Sequence, residues 1–100
     1  MDYSEPAVQL RVQKELEALC SELGVQSHAI RFRSTGSRLI VHVHLLFPYQ
    51  TELGKAHKIA TEVEERLPLR LEMPAEVVTH LEAIEDHSSV HRAAHFTGED

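Results

Sequence analysis

Apolar residues recur early in the chain at Val8, Val12, Leu16, Leu19 and Leu23, in steps of four, four, three and four. That spacing is one stripe of an amphipathic helix. Ser4 ahead of Glu5 and Pro6 provides a cap and a first-turn proline, and Gly24 provides a stop. Cys20 falls beside the stripe and reads as a small core residue. From His28 the period changes to two. Ile30 and Phe32 alternate with Arg31 and Arg33, and Ser34-Thr35-Gly36-Ser37 supplies turn residues. Leu39, Val41, Val43, Leu45 and Phe47 then share one face of a longer strand, with Ile40, His42, His44 and Leu46 on the other. Pro48 ends it, and the two strands form a β-hairpin.

Thr51 is placed to cap a second helix that runs to Leu67 and stops at Pro68. Its stripe is Leu53, Ala56, Ala60, Val63 and Leu67, with His57 on the flank. A third strand follows from about Ala75 to Ile84, with Val77, Thr79 and Leu81 on one face and Val78, His80, Glu82 and Ile84 on the other. The order is helix, strand, strand, helix, strand. A strand–helix–strand crossover makes the last two strands parallel. Both helices then cover one face of a three-stranded sheet, an open α+β sandwich like a truncated ferredoxin-like fold. The other face is left to solvent or a partner.

The 100 residues form one domain over 1–85, followed by a polar tail over 86–100 that holds His87, His91 and His95. Sixteen acidic against ten basic residues give a net charge of −6, and only Arg31, Arg33 and Arg38 cluster. A phosphate-backbone binder needs a basic footprint, so nucleic acid is excluded. No run approaches the ~20 apolar residues of a membrane span, and the opening MDYSEP is unlike a secretory signal. The single cysteine suits a reducing compartment. A cytoplasmic domain that does not insert in a membrane is the expectation.

Histidine is the unusual component, with eight residues. His42-x-His44 and His80-x-Glu82 each place two ligand-type side chains on one strand face. With both helices on the opposite side, all four project from the uncovered face. Imidazole with carboxylate is a donor set favoured by zinc and similar divalent ions. Simple alternation groups His28 with Ile30 and Phe32, on the helix side. Catalysis is not expected, since Cys20 lies on the core stripe away from any histidine and an open sheet encloses little volume for a substrate.

The stretch from Gly24 to Glu82 reads GVQSHAIRFRSTGSRLIVHVHLLF, TELGKAHKIATEVEERL and EVVTHLEAIE. In order and spacing it resembles the cytoplasmic C-terminal domain of the cation diffusion facilitator (cation efflux) family. The matching segments there run G-V-x-x-V-H-D-L-R-x-R, then V-D-L-H-L-E, E-A-H and V-H-V-E. The resemblance implies a metallochaperone-like α-β-β-α-β fold that pairs into a homodimer. It also implies divalent ions near the dimer interface that regulate an attached membrane cation transporter. The implied ligands are His28, His44, His57, His80 and Glu82. His42 stands where the family often has aspartate and is an additional candidate.

The expected function is therefore a dimerising metal-sensor domain unable to transport by itself. Zinc is the first choice of ion, with Cd2+, Ni2+, Co2+ and Cu2+ as alternatives. A freestanding metal carrier, or a ferredoxin-like module for an organic effector or protein partner with incidental histidines, remains the alternative reading. A freestanding chain and an excised transporter domain are both compatible with the sequence.

Overall fold

A computed structural model describes residues 5–85 and, at Ala29 and Ile30, the backbone only. The Ser4 cap, the Ile30 side chain and the tail histidines His87, His91 and His95 lie outside what is described. Helix α1 spans Glu5–Leu23, and strands β1 and β2 span Gln26–Ser34 and Leu39–Phe47. Helix α2 covers Leu53–Leu71 and strand β3 Ala75–Ala83. The strands lie in the order β1-β2-β3. β1 pairs antiparallel to β2, and β2 pairs parallel to β3. The expected α-β-β-α-β open sandwich is what forms.

Burial follows the two periods. Val41, Val43 and Leu45 on β2 are completely buried, as are Val12, Leu16 and Leu19 on α1 and Val63, Leu67 and Leu71 on α2. These residues belong to one cluster, so both helices lie against the odd-numbered face of β2. Fully burying a side chain of this size contributes about 1.5–3 kcal/mol. Cys20 is buried, as expected. Burial pushes its thiol above the ordinary value, against a weaker opposing hydrogen bond with Ser27.

Gly24 ends α1 at a φ of +72°, a left-handed conformation that glycine adopts without the usual side-chain penalty. The chain reverses there with the Val25 amide donating to the Cys20 carbonyl at 3.0 Å. Between the helices, Arg66 and Arg70 both donate to the Glu22 carboxylate. Arg70, reinforced by Arg66, holds that exposed carboxyl below its ordinary range.

Helix α2 departs from expectation at both ends. The Thr51 amide is used in a turn, donating to the Pro48 carbonyl at 2.9 Å. The N-cap is Glu52, which makes no side-chain capping bond. Leu53, expected on the apolar stripe, is 81% exposed, and burial on α2 starts at Ala56. At the other end Pro68 lies inside the helix, which continues to Leu71. The proline removes one backbone donor. The extra turn nevertheless buries Leu71 completely, and the Leu71 carbonyl accepts from Arg11 Nε at 3.1 Å. Tertiary burial thus overrides the local stop signal. The helix ends instead at Glu72, in the left-handed region at φ 57°, whose amide donates to the Pro68 carbonyl.

Two stability outcomes follow from that helix end. Leu71→Ala lowers the unfolding free energy by about 2–5 kcal/mol in a urea titration, the usual range for a buried leucine. A loss well under about 1 kcal/mol would mean that the last turn does not pack in solution. Glu72→Gly raises stability by about 1 kcal/mol, because glycine removes the left-handed penalty. The ion pair it sacrifices, to Arg11 at 3.5 Å, is exposed and contributes little.

Candidate metal centre

Once the odd face of β2 is buried, strict alternation sends its even residues to the uncovered face. His42 and His44 are half-buried there, between Ile40 and Leu46. β3 is set in parallel register, with His44 opposite His80 and Leu46 opposite Glu82. His80 and Glu82 therefore project beside the β2 histidines, as the two short motifs predict.

His28 reaches this face by a different route. It lies opposite His44 in the β1–β2 ladder, whereas Arg31 lies opposite His42. β1 advances three residues while β2 advances two, so the strand carries one extra residue, a β-bulge, at 29–30. The bulge changes the phase of alternation. Phe32 opposite Val41 stays on the helix side, yet His28 turns to the histidine face. The alternation-based placement of His28 beside Phe32 is corrected accordingly. His28, His44 and His80 form one row across three strands.

The side chains meet in two pairs. Nδ1 of His42 lies 3.3 Å from Nε2 of His80, with the rings stacked at a centroid distance of 5.6 Å. Nδ1 of His44 lies 2.6 Å from Oε2 of Glu82. That second contact is an ion-pair approach and not a hydrogen bond. The His80 ring sits between the pairs, 5.2 Å from the His44 ring. His57 lies on the exposed side of α2 and joins neither pair, and its carbonyl accepts from the Thr61 hydroxyl.

These donors suit a divalent ion. A zinc ion with bonds of about 2.0–2.1 Å sets two tetrahedral donors roughly 3.3 Å apart. His44 Nδ1 and Glu82 Oε2, in contact at 2.6 Å, are a second, nitrogen–oxygen pair of donor types. Among the described residues, however, no three histidine, cysteine or carboxylate side chains converge on one point. One chain offers pairs of ligands, short of the four that a structural zinc site requires. The diagonal pairing and the bulge are the features that residue types and spacing do not reveal. The bulge leaves a trace only as His28 lying three residues, an odd interval, before Arg31 on the same face.

The cytoplasmic domain of cation efflux proteins matches over residues 9–84. The chain belongs to this family. A relative from Synechocystis sp., described as an uncharacterized transporter, is 29% identical over 89 residues. The match covers 89% of this chain but 28% of the relative, so the chain spans under a third of that protein's length. Among solved structures, the metal-bound C-terminal domain of the CzcD transporter from Thermotoga maritima superposes with a TM-score of 0.68 at 16% identity. It covers 84% of this chain and 95% of that one. The zinc form of CzrB gives a TM-score of 0.71 at 22% identity, covering 86% and 97%. A MamM C-terminal domain variant in a copper form gives 0.66 at 22%, covering 78% and 95%. These likenesses establish the shared fold. No helix among the described residues is long and apolar enough to cross a membrane.

The bulge makes a specific prediction for the site. Deleting Ala29 removes the extra residue but leaves His28 opposite His44, so zinc affinity by calorimetry stays within about threefold of the parent. Moving the histidine one place, with His28→Ala and Ala29→His together, takes it out of the row and weakens binding. Equal affinity of the moved variant and the parent would remove His28 from the site.

Proposed function

We propose that this chain is a divalent-metal-binding, dimerising regulatory domain of the cation diffusion facilitator type, acting in the cytoplasm, with zinc as its first ion. The observation that carries the proposal is the gathering of His28, His42, His44, His80 and Glu82 on the one sheet face that no helix covers. Those residues are the ligands, and His57 joins them from α2. Metal-bound, zinc and copper forms of proteins with the same fold support the reading.

The pairs within one chain are the argument for two copies. An ion bound by one pair has coordination positions left over, and a second copy facing the first supplies them. His57, exposed on α2 and distant in role from its own chain's pairs, is available to a facing copy. The mechanism is linkage. An ion that binds the closed arrangement of two copies better than the open one shifts the population toward it. At 100 times its dissociation constant it contributes about 2.7 kcal/mol, enough to make one arrangement dominate. Transport belongs to an attached or separate membrane part, for which this domain reports metal.

Calorimetry with zinc tests the reading. His80→Ala is expected to weaken binding by at least about tenfold, or 1.4 kcal/mol. Similar heats and affinities for the parent and His80→Ala would remove the site. Protons and metal compete for the same ring nitrogens, so the affinity of the parent falls as the solution is acidified. X-ray scattering is expected to show a metal-dependent contraction of the dimer, and an unchanged profile with bound zinc would remove the regulatory half of the proposal.

A further inference from the structure

At the end of the sheet away from His44, His80 and Glu82, three segments meet around a cavity of about 520 Å3. They are the first turns of α1, the hairpin turn at 34–38 and the link from α2 to β3. The apolar lining is Val8, Phe32, Leu39, Met73 and Pro74. Val8 and Leu39 are buried core members, and Phe32 and Met73 are half-buried against the core. The expectation that an open sheet encloses little volume fails at this end. Two ties hold the rim. The Leu39 amide donates to the Pro74 carbonyl at 2.9 Å, joining the start of β2 to the α2–β3 link. Arg38 Nη1 donates to Glu76 Oε1 at 3.3 Å, joining the hairpin turn to β3. Gly36, at a φ of +94°, lets the turn between the strands close. A preformed, largely apolar cavity of this size falls in the range of about 300–1,000 Å3 usual for small-molecule sites.

The charges on the lining narrow the choice of ligand. Arg11, Arg38, Arg66 and Arg70 each meet a carboxylate. Arg33 and Glu5 both line the cavity, yet among the described residues neither has an ion-pair partner, and they do not pair with each other. The cavity thus presents one uncommitted cation and one uncommitted carboxylate beside an apolar lining. A chain of net charge −6 repels a plain anion. Arg33 and Arg38 on the rim oppose a plain cation. A molecule that carries both charges and is neutral overall avoids both penalties.

We infer that this cavity is a binding site for a small zwitterion with an apolar body, the chemistry of an α-amino acid with a hydrophobic side chain. The ligand carboxylate goes to Arg33, whose guanidinium fork matches it. The ammonium goes to Glu5, and the apolar body lies against Val8, Phe32 and Met73. The lining supplies most of the affinity. Arg33 and Glu5 are exposed, so each adds a modest factor and acts chiefly in discrimination. The site does not depend on the reading of the sheet face as a metal site. Leu39 precedes His44 by five residues on β2, roughly 16 Å along a strand.

The test is an amide NMR titration of the intact chain with L-phenylalanine and L-leucine. Two compounds with the phenylalanine body but a single charge, 3-phenylpropionate and phenethylamine, are titrated beside them. The amino acids are expected to shift the amides of Val8, Phe32 and Met73 saturably, and L-phenylalanine to bind at least about threefold more tightly than either single-charge compound. Glu5→Gln is expected to abolish its advantage over 3-phenylpropionate, and Arg33→Gln its advantage over phenethylamine. Each variant is first checked for the parent's circular dichroism. Binding of either single-charge compound as tight as that of L-phenylalanine would overturn the inference, as would the absence of saturable shifts at the cavity. A chain lacking residues 1–4 tests the other occupant within reach. Binding that appears only in that chain would mean that its own first residues fill the cavity, and would overturn the inference too. Zinc affinity is expected to be the same with and without L-phenylalanine, so the result stands or falls apart from the metal reading.

Discussion

The packing of α1 and α2 against Val41, Val43 and Leu45 governs the rest of this molecule. These three residues are inaccessible to solvent, and side-chain direction in a strand repeats every two residues. A shift of one residue in β2 would therefore expose all three and bury His42 and His44 instead. The cost of that exchange holds the strand in phase. The position of the histidines on an uncovered face is thus a consequence of hydrophobic burial on the opposite side. The parallel pairing with β3 extends the same phase to His80 and Glu82, because Val77, buried opposite Val41, anchors the odd face of that strand. A row of histidines on one face of a small sheet needs no dedicated scaffold beyond this two-sidedness.

Much of this organisation was legible in the sequence because it is carried by repetition. Val8, Val12, Leu16 and Leu19 of the α1 stripe and the five alternating apolar residues of β2 bury as their spacing implies, with Leu23 partly buried at the helix end. The misreadings arose where a single local cue competes with tertiary packing. Pro68 is a strong stop in isolation, but Leu71 is buried one turn later and the helix carries on to reach it. Leu53 fits the stripe of α2 by spacing, yet it is exposed while Ala56 in the same turn is buried. The bulge at 29–30 lies beyond any periodicity argument, since one inserted residue reverses the faces of everything before it. The family resemblance implies His28 as a ligand where alternation puts it on the helix side, and the bulge is what turns it to the face of His44.

The face is also instructive in what it leaves incomplete. Among the ligand candidates, polar contacts join His42 with His80 and His44 with Glu82, and His57 is held on another element. A face that presents pairs links occupancy to the approach of further donors, and so to geometry beyond the single domain. On the proposed reading, donors that stand in pairs are the feature that would tie metal binding to the approach of a second copy.

The most direct test of the central claim is a crystal structure of the intact chain soaked with zinc, with anomalous scattering recorded at the zinc edge. The account predicts anomalous peaks over the uncovered sheet face, within about 2.0–2.3 Å of imidazole nitrogens from His42, His44 or His80. Peaks confined to other surfaces, with this face unchanged from the metal-free chain, would contradict it.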